Sequence, residues 1–131
     1  PWEGELPAWM NSPSVSAHPE SVMVSQNWDE TRRLMWNYVG IVRSNRRLLG
    51  VRRRLDLLTQ EVREYLLSSR LTPDLAELRN LLTVSNLIVE CALQRQESRG
   101  LHYNVDYPAT DDQRFLHDTV MWAGENPSLG F

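Results

Sequence analysis

The segment Glu97–Pro108, which reads ESRGLHYNVDYP, contains the densest group of chemically versatile side chains in the sequence. Within ten positions it carries carboxylates, a hydroxyl, a guanidinium, an imidazole and a phenol, namely those of Glu97, Ser98, Arg99, His102, Tyr103 and Asp106. Such side chains at the exit of a helix are typical of a binding or catalytic loop. They are equally typical of a capped helix followed by a polar loop whose side chains satisfy one another. The residue types leave both interpretations open.

Other common kinds of site are not indicated. The three histidines, His18, His102 and His117, form no His-x-x-x-His pair, so we expect no metal site. The six glycines are all isolated, which predicts that no nucleotide-binding fold starts in this chain. The one cysteine, Cys91, excludes an internal disulfide and fits a reducing, cytoplasmic setting. Because Cys91 falls on an apolar helical pattern, we interpret it as a buried side chain rather than a nucleophile.

Arginines are concentrated in residues 43–54, which contain six of them and no acidic residue. A basic stretch of this kind can bind the phosphates of nucleic acids. The chain as a whole has a net charge of −3, however, and on a helix these arginines spread around the axis rather than along one groove. We therefore expect a solvated or domain-docking surface and no nucleic acid partner. The alternative is a free-standing Arg-rich helical bundle that binds nucleic acid or protein.

Three helices are predicted ahead of the polar segment, and the third is predicted to end within it. The first begins near Asn27, whose side chain can cap it. The second carries apolar residues in heptad spacing over Leu48–Tyr65. The third begins after the natural N-cap Thr72 and runs to about Ser98, with Gly100 as its C-cap. These helices would place the polar segment at the exit of the third one.

The pattern as a whole predicts an all-α fold, an antiparallel three-helix bundle with an extended N-terminal arm and an irregular C-terminal tail. Residues 1–26 are predicted to be a linker or arm, residues 27–100 the bundle, and residues 101–131 an extended segment and tail. The break between the first two helices is expected near Ser44–Asn45. No apolar run approaches the roughly 20 residues that a membrane span needs, and no signal peptide is recognisable.

Two blocks of the sequence resemble a known family. Asn27–Ser44 and Glu77–Pro108 are similar to the C-terminal domain of the succinate dehydrogenase/fumarate reductase flavoproteins, and within that family they most resemble the L-aspartate oxidases. Respiratory members typically have Ala where Leu101 stands, and an extra basic residue where Val105 stands. Two matching blocks in the right order are more specific than the short ESRG motif alone.

This resemblance implies an FAD enzyme that oxidises L-aspartate to iminoaspartate, the first step of de novo NAD biosynthesis, with oxygen or fumarate as electron acceptor. It implies that the flavin-binding and capping domains lie upstream, so that residues 1–26 follow an FAD-binding domain. On this basis we expect no catalytic or cofactor-binding residue in this chain, and no FAD bound by it alone. Quinolinate synthase is the implied downstream partner.

The role left for such a domain is docking on the flavin and capping domains. We expect the polar segment to carry it, with Glu97 and Arg99 as polar anchors. The candidate docking residues are Glu97, Ser98, Arg99, His102, Tyr103 and Asp106. Within the family, the same domain of a succinate dehydrogenase or fumarate reductase flavoprotein is the alternative.

Overall fold

The computed structural model describes residues 21–121. In chain order their elements are α1 (Ser21–Tyr38), β1 (Val42–Arg43), α2 (Asn45–Ser68), α3 (Pro73–Gln94), β2 (Tyr103–Asn104) and α4 (Asp112–Phe115). Because each strand has only two residues, the predicted all-α class is confirmed. Residues 1–20 of the predicted arm and the tail after Met121 lie outside the described residues, whereas residues 21–26, also predicted as arm, are helical.

The second helix provides the centre of the core. Ser44 caps α2, since its hydroxyl accepts a hydrogen bond from the Arg47 N–H at 3.3 Å. The heptad positions face inward and are at most 2% exposed, as at Leu48, Val51, Leu55, Leu58 and Val62. The predicted apolar seam is therefore confirmed, with Tyr65 half-buried at its end.

The third helix begins as its sequence predicts. The Thr72 hydroxyl accepts a hydrogen bond from the Leu75 N–H at 3.3 Å, and Pro73 occupies the first helical turn. The apolar stripe of α3 is buried against α2 and α1, through Leu75, Leu78, Leu82, Ser85, Val89 and Ala92.

Side-chain pairs between the helices establish their directions. In each helix pair, residues later in one helix contact residues earlier in the other. Both α1/α2 and α2/α3 are therefore antiparallel. The pairs are Asn27–Glu61 and Glu30–Arg54 between α1 and α2, and Thr59–Asn86 and Arg52–Glu90 between α2 and α3. The end of α1, the start of α2 and the end of α3 consequently lie at the same end of the bundle.

Helix α1 begins at Ser21, six residues before the predicted start. Asn27 does not cap it, because Asn27 is only 4% exposed and its amide donates to Glu61 at 3.4 Å. Residues 21–26 contain neither Gly nor Pro, and Val24 among them packs on the core. Burial of that side chain extends the helix toward the N-terminus.

Helix α3 ends at Gln94 rather than near Ser98. Arg95 already has an extended backbone (φ −83°, ψ 94°), and the chain then turns back so that Glu97 and Ser98 become buried. Gly100 is not the helix cap. Its positive φ of 57° serves a tight turn in which the Arg99 and His102 backbones bond to each other.

None of the helices in residues 21–121 combines the length and hydropathy needed to cross a bilayer.

Candidate functional site

Glu97 is the centre of the polar segment and is completely buried. Arg99 binds it with two parallel hydrogen bonds, Nε to Oε1 at 2.9 Å and Nη2 to Oε2 at 3.0 Å. The Asp111 N–H donates to Oε2 at 2.9 Å, and Arg95 Nη1 donates to Oε1. The bonds from Arg99, followed by those from Asp111 and Arg95, hold the pKa of Glu97 at about 2 although burial opposes the charge. Glu97 is therefore ionised, and it stabilises the loop through these internal hydrogen bonds.

The two arginines around Glu97 are also bound to the chain that follows. Arg99 contacts Asp112 as well as Glu97, and the bonds from these two carboxylates, Glu97 first, raise its pKa above the ordinary value. Arg95 donates to the Thr119 hydroxyl at 3.1 Å and to the Phe115 carbonyl at 3.1 Å. Both cations thus tie the exit of α3 to residues 111–119.

Ser98 and Asn104 hold the return of the segment. The Ser98 hydroxyl accepts the Asn104 N–H at 2.9 Å and donates to the Tyr107 carbonyl at 2.7 Å. Asn104 is fully buried, and its amide donates to the Asn45 side chain at 2.9 Å. Asp106 accepts the Asn45 N–H at 2.7 Å. The segment therefore binds the first residue of α2, where a carboxylate also suits the helix dipole.

His102 is bound through both ring nitrogens. Arg43 Nη1 lies 2.7 Å from Nδ1, and since arginine only donates, Nδ1 must be an acceptor. Nε2 then carries the proton and donates to the Arg95 carbonyl at 3.1 Å. Burial is the main cause that lowers the pKa of His102, and the nearby cations add to it. His102 is thus a neutral link between β1 and the end of α3, with neither nitrogen free for proton transfer.

An exposed apolar surface forms on the strand pair. The two strands are parallel, and Val42 lies beside Tyr103. Two backbone hydrogen bonds join the strands. The Tyr103 N–H donates to the Ile41 carbonyl at 3.2 Å, and the Val105 N–H donates to the Arg43 carbonyl at 2.9 Å. Five apolar residues on and beside the strands are between 41% and 76% exposed: Ile41, Val42, Leu101, Tyr103 and Val105. We call these five residues the apolar ribbon. A group of large exposed apolar side chains indicates an interaction surface.

The arginine-rich stretch divides into internal and external members. Arg43, Arg52 and Arg54 pair with His102, Glu90 and Glu30, respectively. Arg46, Arg47 and Arg53 are exposed. The stretch is therefore not one continuous basic face.

Two further candidates of the sequence, Cys91 and His117, lie at the edge of this centre, where the His117 carbonyl accepts a hydrogen bond from Arg95. Cys91 is half-buried in α3, and burial raises the pKa of its thiol, which disfavours the nucleophilic form. His117 lies beyond α4, with its ring nitrogens 2.8 and 2.9 Å from the carbonyls of Asp118 and Arg114. Within residues 21–121 no group of three or more potential ligands is placed to hold a metal ion.

The polar segment was predictable from the sequence, but several of the residues that bind it were not. Arg95 could have been suspected from its position two residues before Glu97. Asn45 and Arg43 gave no such signal, since they become part of the site only when α2 and β1 pack beside it. Asn104 lies within the segment, but its role depends on its contact with Asn45. The geometry is that of a polar loop whose side chains satisfy the hydrogen-bonding groups of one another. The apolar ribbon is the exposed part of this region.

The sequence of this chain is similar to those of known proteins. The fumarate reductase flavoprotein C-terminal family matches residues 28–130. L-aspartate oxidase 1 of Ralstonia nicotianae is 54% identical over 105 residues, which is 80% of this chain and 20% of that protein. L-aspartate oxidase of Acinetobacter baylyi is 50% identical over 116 residues, 88% of this chain and 21% of that protein. A chloroplastic L-aspartate oxidase of Nicotiana tabacum is 38% identical over 104 residues, 76% of this chain and 16% of that protein. The chain spans about a fifth of the length of the bacterial relatives.

Proposed function

The chain belongs to the family of fumarate reductase flavoprotein C-terminal domains, and from that premise we propose that it is the C-terminal helical domain of an FAD-dependent L-aspartate oxidase. The enzyme would oxidise L-aspartate to iminoaspartate and so begin de novo NAD biosynthesis in the cytoplasm. The observation that carries the proposal is the identity of 50 to 54% to bacterial L-aspartate oxidases over about 80% of the chain or more. The family resemblance of Asn27–Ser44 and Glu77–Pro108 is confirmed by the family match.

The described residues do not fit FAD. Its pyrophosphate is usually held by a glycine-rich turn between a strand and a helix. The described glycines, Gly40, Gly50 and Gly100, stand singly, and both described strands are only two residues long. In this proposal FAD binds to the larger part of the enzyme outside this chain, and no chemical step is assigned to residues 21–121.

The proposed role of this domain is to dock on the flavin-bearing part of the same polypeptide. Glu97, Ser98 and Asp106 are bound within the domain, so their contribution to docking would be indirect. Tyr103 is the one candidate docking residue that belongs to the apolar ribbon, and Arg99 keeps a third of its side chain exposed. The polar side chains of the segment would thus stabilise the conformation of the ribbon, and the ribbon would contact the flavin-bearing part of the enzyme.

The proposal is tested on the full-length protein. We expect a yellow, flavin-containing protein that oxidises L-aspartate with oxygen or fumarate as acceptor, measured by peroxide release or by succinate formation. Turnover of succinate in place of L-aspartate would contradict it and favour a respiratory flavoprotein. Binding of nucleic acid by a protein without flavin would contradict it in favour of a free-standing bundle. The proposal also includes transfer of iminoaspartate to quinolinate synthase. Formation of quinolinate when the two enzymes are mixed with L-aspartate is the measurement that checks it.

A further inference from the structure

A groove runs between α1 and α2 at the same end of the bundle as the polar segment. Leu34 and Tyr38 of α1 form one wall of it, and Arg46, Arg47, Gly50 and Val51 of α2 form the other. Val51 is buried at its base, while both arginines and Gly50 are exposed. We call this feature the α1–α2 groove. It combines an apolar base with a positively charged rim.

No contact among residues 21–121 requires a glycine at position 50. It is the sixth residue of a 24-residue helix, a position at which glycine is unfavourable. Beyond the adjacent backbone of α2, a Cβ added to it would meet no atom of residues 21–121 within 4 Å. A larger residue would therefore fit and would favour the helix. A glycine in an exposed groove leaves its backbone uncovered, so that another chain can approach closely. We interpret Gly50 in this way.

The rim charges have no counterpart in the described part of the chain. Arg52 and Arg54, about two turns further along α2, pair with Glu90 and Glu30. Arg46 and Arg47 make no ion pair and no side-chain hydrogen bond among residues 21–121. An occupant that complements this groove carries carboxylates at its rim and an apolar side chain for its base.

We propose that the α1–α2 groove receives an acidic segment of the flavin-bearing part of the same polypeptide. Two observations point to that occupant rather than to a separate molecule. About four fifths of the length of the bacterial relatives has no counterpart in this chain. The groove also lies near the apolar ribbon, because Tyr38 and Ser44, which line the groove, are close in the chain to Ile41 and Val42. One partner surface can cover both, so this inference rests on the proposed function.

The test uses the flavin-loaded full-length protein without substitution. A dicarbonyl reagent labels exposed arginines, and peptide mass spectrometry gives the rate at each position. Arg63 and Arg70, exposed at the other end of α2 and just beyond it, are the internal reference. Coverage of the groove should slow the labelling of Arg46 and Arg47 by roughly tenfold relative to the reference, and high salt should reduce this difference because it screens the charge pairs.

Two variants examine the contact itself. Gly50→Gln should expel the occupant and raise labelling of Arg47 to the reference rate, whereas Leu57→Gln, at an exposed position further along α2, should leave it unchanged. The double charge reversal Arg46→Glu with Arg47→Glu should free the acidic segment to proteases, and the matched pair Arg63→Glu with Arg70→Glu should not.

Equal labelling of all four arginines overturns the inference. It is also overturned if protection requires a dimer at high protein concentration, or appears only when nucleic acid is added. L-aspartate oxidation by the same preparation separates the two proposals. Oxidation with unprotected arginines leaves the function and removes the groove contact. Protection without oxidation leaves the contact and removes the assigned activity.

Discussion

Glu97 and its two arginines act as one charged unit at the exit of α3. A buried carboxylate needs partners that satisfy it on several sides, and here Arg95, Arg99 and the Asp111 N–H provide them. Each partner belongs to a different part of the segment that follows α3. Their shared carboxylate therefore determines the path of the chain from residue 95 to residue 112, including the turn that presents the apolar ribbon.

This unit predicts a specific dependence of stability on pH. The pKa of Glu97 is lowered from 4.5 to about 2, so the folded state binds its proton less readily than the unfolded state. Its stabilising contribution is complete above about 4.5 and is lost as the pH falls from there toward 2. Glu97→Gln should lower the melting temperature at pH 7 and flatten its fall over that window.

Thermal unfolding of the chain, followed by circular dichroism from pH 7 to pH 2, measures this effect. Glu77→Gln is the matched control, because Glu77 is exposed on α3 and has no ion pair among the described residues. If Glu97→Gln and Glu77→Gln give the same melting temperatures throughout, Glu97 does not have the assigned role.

The residue types of the segment were sufficient to locate this unit but not to interpret it. Glu97, Arg99 and His102 are close together in sequence, so their proximity could be expected. The contacts of Asp106 with Asn45 and of His102 with Arg43 join positions 61 and 59 residues apart. Spacing along one element carries no information about such pairs, and that is why the choice between a catalytic loop and a self-satisfied loop required the packing of β1 and α2.

At the scale of the elements, two glycines differ in what they do. Gly50 lies inside α2 with open space where a side chain would be, and Gly100 has a positive φ of 57° in the turn between Arg99 and His102. A helical glycine costs up to about 1 kcal/mol relative to alanine. A left-handed residue with a Cβ costs roughly 1–2 kcal/mol. Alanine should therefore have opposite effects at the two positions.

Gly50→Ala should stabilise the 131-residue chain by up to ~1 kcal/mol, because it improves the helix without a clash. Gly100→Ala should destabilise it by about 1 kcal/mol, because it strains the turn. Urea unfolding of both variants against the parent measures the two changes. Destabilisation by Gly50→Ala would show that the position is constrained within the domain, and it would remove one support for the groove proposal.

The helices were predictable where local chemistry and burial agree. Ser44 and Thr72 provide caps, and the apolar spacing of α2 matches its buried face, so these elements followed from the sequence. The start of α1 and the end of α3 did not. At Val24, packing on the core extends the helix beyond the cap-like Asn27, and at Glu97 an ion pair ends it before the glycine. In both places a tertiary contact outweighed the local signal.

At the scale of the whole molecule, the surfaces assigned to docking lie at one end of the bundle. The antiparallel helices bring the end of α1, the start of α2 and the exit of α3 together, so the ribbon and the groove lie at the same end. The opposite end contains the α2–α3 connection, where Leu67 is 75% exposed. An exposed apolar residue is therefore available at each end, and this allows a matched comparison in the full-length protein.

Tyr103→Asp places a charge on the ribbon, where docking would bury it without a partner, and an unpaired buried charge is strongly unfavourable. In the full-length protein it should lower the melting temperature and speed the loss of flavin, both measured by flavin fluorescence. In the 131-residue chain it should change stability by no more than about 0.5 kcal/mol, because the side chain is at the surface there. Leu67→Asp should have little effect in either protein. If Tyr103→Asp leaves flavin retention as unaffected as Leu67→Asp does, the ribbon is not the docking surface. The polar segment beneath it would then serve the fold of this domain alone.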